Sequence, residues 1–225
     1  AAARLMILKG MNAGYAAASV AADATTEAMA QVAFLAFGVA MAALHFSGAH
    51  AGPVLYAMIA TLLLAVPGIA VLIFLQKRGA NFAERIAGRF FPQVKDGTSF
   101  REAIHDLYDS PARLAASASW HLLAWVGAGG GTWLGFRLVG ADISLLDAMA
   151  LEALLCTLRS IAAFVPAAIG VQEGGYAVLA QLFGLPAEMG LAVSLLKRAR
   201  EIVLGVPALI YWQAIEGRTA LRSTP

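Results

Sequence analysis

The stretch "RSIAAFVPAAIGVQEGGY", residues 159–176, decides how the rest of the chain is read. It sits in an apolar region, yet it places Pro166, Gly170, Gly174 and Gly175 close together, with Arg159 before them and Glu173 among them. A helix that crosses a bilayer needs about 20 mostly apolar residues. Broken backbone at membrane depth is tolerated only where protein buries it or where it lines a water-filled cavity. Roughly 20 residues precede the break and roughly 12 follow it, too few for two full crossings. The reading is a re-entrant hairpin over about 148–185, with "PAAIGVQEGG" as a non-helical tip buried inside the protein.

The remaining sequence agrees with a membrane setting. Of 225 residues, 60% are hydrophobic and 13% charged, and mean hydropathy is +0.73, whereas soluble domains carry about 25% charged residues. Four segments satisfy the spanning criterion: about 15–45, 53–76, 113–138 and 187–214. The fold class is all-α, a polytopic helical membrane protein with a broken-helix hairpin, taken as one transmembrane domain over 1–225. Pro67 is expected to kink the second segment. In the third, Gly127, Gly131 and Gly135 recur every four residues, a small-residue stripe that admits a close neighbour. The opening "AAARLMILKGMNAGY" has neither an initiator methionine nor a signal-peptide layout, so the natural N-terminus is expected upstream of it and the chain is read as part of a larger bundle.

Basic residues set the expected orientation. Residues 77–113 carry seven lysines and arginines, Lys77, Arg78, Arg85, Arg89, Lys95, Arg101 and Arg113, and "HFSGAHAGP" (45–53) carries none. By the positive-inside rule the basic segment is cytoplasmic. Within it Phe82, Ile86 and Phe90, then Phe100, Ile104, Leu107 and Tyr108, recur at helical spacing, as in short interfacial helices on the inner leaflet. Alternation then places "VGADISLLD" outside and the C-terminus inside.

Several chemistries are excluded by what the sequence lacks. Cys156 is the single cysteine, which rules out an intrachain disulfide framework. His45, His50, His105 and His121 are scattered without metal-ligand spacing. No nucleophile–base pair stands out, so no catalytic residue, metal or cofactor is expected and the chain is read as a non-enzyme. A net charge of +2 without a basic tail argues against nucleic acid.

The intramembrane charges carry the functional signal, because an ionised group at the bilayer centre costs about 2.5–3.5 kcal/mol and is ordinarily paired or faces a cavity. On the last helix Lys197, Arg198, Arg200 and Glu201 fall within an arc of roughly 160° at 100° per residue. Lys197 lies about 16 Å from a start near Pro186, close to mid-bilayer. Glu201 neutralises one cation and leaves two. The hairpin adds Arg159 and Glu173, with Glu152 seven residues before Arg159 on the same face. Asp23, Glu27 and Gln31, at successive i+4 steps, form a supporting polar stripe read as facing inward. Three readings stand: a salt-bridge network that fixes helix register, a pocket for an anionic lipid headgroup formed by Arg159, Glu173, Lys197, Arg198, Arg200 and Glu201, or a path for an ion-coupled solute.

The run "LRSIAAFVPAAIGVQEGGYAVLAQLFGLPAEMGLAVSLLKRAREIVLGVPALIYWQ" resembles the C-terminal signature of the lysylphosphatidylglycerol synthase transmembrane-region (flippase-like) family. It looks closest to the branch associated with hopanoid biosynthesis, which "SVAADATTEAMAQVAFLAFG" also resembles. The family turn, a proline and glycine pair leading to a glutamate, is matched by Pro166 to Glu173 with Ala167 and Ala168 in place of the glycines, and the late arginine by Arg198. The resemblance implies an inner-membrane lipid transporter for a polar, glycosylated or hopanoid-type lipid, without the soluble aminoacyl-transferase domain of some relatives. A scaffold for lipid-biosynthesis enzymes is the alternative; there the charges would pair with one another around no cavity.

Overall fold

A computed structural model describes residues 2–45, 51–90, 102–106, 108–161 and 168–222. Every regular element among them is helical: α1 Ala2–Leu8, α2 Ala13–His45, α3 Ala51–Phe90, α4 Pro111–Leu138, α5 Leu145–Ile161, α6 Val171–Leu182 and α7 Ala187–Arg222. The chain forms two compact units, Ala1–Gly129 and Gly130–Pro225, and α4 runs from one into the other.

In the first unit, Gly10 at φ 91° closes α1, a left-handed position where glycine avoids a Cβ penalty. Asn12 caps α2, its Oδ1 accepting the Gly14 N–H at 2.7 Å. Helices α2 and α3 contain stretches, Gly14–Leu44 and Ile59–Gly79, that are long and apolar enough to cross a membrane. No residue of Ile59–Gly79 is buried by the chain itself, as expected of a helix whose apolar surface is solvated by lipid. Helix α3 continues through Pro67 and on to Phe90, so residues 77–90 prolong a spanning helix and do not begin a separate interfacial one. In the stretch 102–106, Ile104 is fully buried in a cluster with Ala18 and Ala103. The side chains of Phe82, Ile86, Phe90, Phe100 and Leu107 and the loop residues 46–50 lie outside the described residues.

The second unit is built around α5. Residues 150–156 are buried on consecutive positions, more than one full turn, so neighbours cover the helix on every side, as its alanines and leucines allow around Glu152. Ser144 caps its start: its Oγ accepts the Asp147 N–H at 3.1 Å and donates to Asp147 Oδ2 at 2.7 Å. Helix α6 has only 12 residues, about 18 Å and short of a bilayer. It ends at Gly184, φ 77°, with the Leu185 N–H returning to the Ala180 carbonyl at 2.9 Å. Residues 113–138 and 187–214 are helical as expected, within α4 and α7, although polar residues keep both from meeting the apolar-span criterion that α2 and α3 meet.

Helix resumes after the break earlier than the sequence suggests. Pro166 lies outside the described residues; Ala168 (φ 48°) and Gly170 (φ 81°) are both left-handed, and helix resumes at Val171. Gly174 and Gly175 therefore belong to α6. Their role is clearance: a Cβ on Gly175 would come within 2.6 Å of Leu155 Cδ1. The tip is not enclosed by the chain either, since Ile169 is 69% exposed.

Candidate functional site

Four helices of the second unit send one polar side chain each to a common point: Thr132 from α4, Glu152 from α5, Tyr176 from α6 and Lys197 from α7. Glu152 is 4% exposed, Lys197 7%, and Thr132 and Tyr176 not at all. The ammonium of Lys197 donates to Glu152 Oε1 at 2.6 Å, Tyr176 OH at 2.7 Å and Thr132 Oγ1 at 3.0 Å. Both hydroxyls then donate onward to Glu152 Oε2, Tyr176 at 2.5 Å and Thr132 at 2.7 Å. A lysine has three donors, and all are consumed. Lys197, expected at a headgroup pocket, is thus engaged within the protein, and Glu152, expected in a supporting stripe, sits at the centre of the network. Sequence reasoning missed Thr132 and Tyr176, because a lone hydroxyl in an apolar helix carries no charge to betray it.

Arg198, one position along and rotated by about 100°, takes part in a second, more open arrangement. Its Nε donates to Glu173 Oε1 at 2.9 Å, and its Nη1 lies 3.6 Å from Glu201 Oε2. Glu173 is the third residue of α6, and its other oxygen accepts the Gly170 N–H at 2.7 Å. One carboxylate thus caps the helix that restarts after the break and ties it to α7. The structure brings together Glu173, Arg198 and Glu201. Arg198 Nη2 is buried without an acceptor, and neither Arg159 nor Arg200 forms an ion pair among the described residues. Gln172 adds a buried acceptor, Oε1, without a partner.

The stripe on α2 does not point where the sequence suggests. Asp23 and Glu27 are exposed and Gln31 is half-buried, whereas Thr25 and Thr26 are the buried polar residues. A helix of alanines buries short hydroxyls at lower cost than carboxylates. Thr25 bonds to Tyr108 at 2.8 Å and to Gln76 at 3.1 Å; Asp23 meets His121 at 2.9 Å. Among the described residues no group of histidine, cysteine, aspartate and glutamate is arranged to hold a metal ion.

An all-helical chain with apolar spanning helices, a sealed ion pair and, among the described residues, arginines without carboxylates defines a membrane protein with a polar interior. Residues 1–208 match the family model for the lysylphosphatidylglycerol synthase TM region, and the chain belongs to that family, a membrane family with a lipid-related role. No curated protein and no solved structure matches the chain.

Proposed function

We propose that the protein is a multi-pass transporter of the bacterial inner membrane that moves a polar lipid, anionic, glycosylated or hopanoid-type, between leaflets without covalent chemistry. The observation that carries this reading is the unequal use of the charges around α7. Lys197 is spent on internal bonds, while among the described residues Arg159, Arg200 and one amino group of Arg198 have no carboxylate. A guanidinium in a membrane helix is costly without a counter-charge, and a phosphate or other acidic headgroup supplies oxygens in the forked geometry that arginine matches. The helix that restarts at Val171 directs its positive end toward the same break.

The test is transfer of a fluorescent phosphatidylglycerol analogue across reconstituted vesicles. Arg200→Gln and Arg198→Ala should each slow transfer about tenfold, the loss of one charge-assisted contact. Arg198→Lys should recover part of the rate, since an ammonium keeps the charge and loses the fork. Monodisperse Arg198→Ala and Arg200→Gln proteins that transfer lipid at the original rate would return these charges to a purely architectural role and leave the scaffold reading standing.

A further inference from the structure

The first unit holds a polar cleft of its own, which the proposed transport does not use. It is an open pocket of about 130 Å³ between α2 and α4. Ser19, Asp23 and Thr26 follow one another at i, i+4 and i+7 on α2, one face of that helix. Arg113 and Ser117 line it from α4 at i and i+4, and His121 continues their row. Two cross-links fasten the rows: Thr26 Oγ1 to Ser117 Oγ at 2.9 Å and His121 Nε2 to Asp23 Oδ1 at 2.9 Å. The charges in the cleft are left open by this pattern. His121 occupies Oδ1 of Asp23 but not Oδ2, and the Asp23 side chain is 64% exposed. Arg113 is exposed and makes no ion pair among the described residues.

A cleft with one cation and one anion, both accessible and not paired with each other, suits a ligand that carries both charges. Asp23 lies within the apolar span Gly14–Leu44, which puts membrane lipid within reach of the pocket. We infer that this cleft binds the headgroup of a zwitterionic phospholipid whose amine carries N–H donors, with the phosphate on Arg113 and the ammonium on Asp23 Oδ2. Ser19, which has no partner among the described residues, is placed to accept or donate a further bond. His121 acts by holding the carboxylate in position.

Retention of lipid by the full chain in detergent, read by native mass spectrometry, tests this. The probes are phosphatidylethanolamine and phosphatidylcholine, both zwitterionic, of which only the first donates N–H to a carboxylate. The protein should retain the ethanolamine lipid about fivefold better, the scale of a single partly exposed charged contact. Asp23→Asn should abolish that preference, and Arg113→Gln should lower retention of both lipids alike. Ser19→Leu, which fills the cleft, should also lower both and serves if Asp23→Asn is not monodisperse. Equal retention of the two lipids, or an unchanged preference in Asp23→Asn, would overturn the inference; so would unchanged retention in Ser19→Leu. Loss of the preference in Arg198→Ala would place the lipid on the other unit and overturn it as well, and soluble glycerophosphoethanolamine competing as well as the lipid would overturn the lipid assignment.

Discussion

Lys197 and Arg198 are adjacent in sequence and opposite in use. The difference lies in what each reaches: Lys197 points at three other helices and finds a carboxylate with two hydroxyls, while Arg198 reaches the first turn of α6 and leaves one amino group without an acceptor. Charge spacing made both residues visible as candidates, and the Glu173–Arg198 partnership was legible because a carboxylate at a helix restart and an arginine on the next helix are both conspicuous. The sealing of Lys197 was not legible, since it depends on Thr132 and Tyr176, which only the packing of helices brings into range. Removing one member of a buried pair strands the other, a cost of about 3–5 kcal/mol, whereas removing both is often close to neutral. Lys197→Met should therefore sharply lower the unfolding midpoint in detergent, and adding Glu152→Leu should restore most of it. A double variant as unstable as the single would mean that the network contributes more than mutual neutralisation.

At the scale of elements, helix existence was readable from apolar runs and the ends were not. Caps such as Asn12 and Ser144 and the left-handed Gly184 fix boundaries through local hydrogen bonds that hydropathy does not weigh. The glycines show the same division. Spacing singled out Gly127, Gly131 and Gly135, but a Cβ on Gly127 would meet nothing within 4 Å, one on Gly131 would touch Arg200 Nη1 at 3.4 Å, and one on Gly135 would press Val193 at 3.2 Å. The tightest approach falls on Gly190, outside the pattern, where a Cβ would lie 2.3 Å from the Tyr176 carbonyl oxygen. A side chain can turn aside and a backbone carbonyl cannot, so Gly190→Ala must separate α6 from α7. It should cost about 1–3 kcal/mol, the range for overpacking, while Gly127→Ala should be neutral or stabilising by up to about 1 kcal/mol from helix propensity. Thermal unfolding in detergent ranks the two, and the reverse order would show that α6 and α7 do not approach as closely as described.

At the scale of the whole molecule, the family match over residues 1–208 and the apolar spans make this a membrane protein, and orientation is the property on which both lipid proposals depend. Helix α4 is the informative ruler: its 28 residues extend about 42 Å, enough to cross the hydrocarbon core with its interfaces. Asp109 precedes it at the end of the basic segment and Asp142 follows it in the turn before α5; both are exposed. Seven lysines and arginines at 77–113 favour retention of the Asp109 end in the cytoplasm. With the buried Cys156 replaced by serine, a membrane-impermeant maleimide added to intact cells should modify Asp142→Cys and spare Asp109→Cys until the membrane is permeabilised. The opposite pattern would invert the molecule and put the Arg113 cleft at the outer face, and labelling of both sites in intact cells would mean that α4 does not cross the bilayer at all.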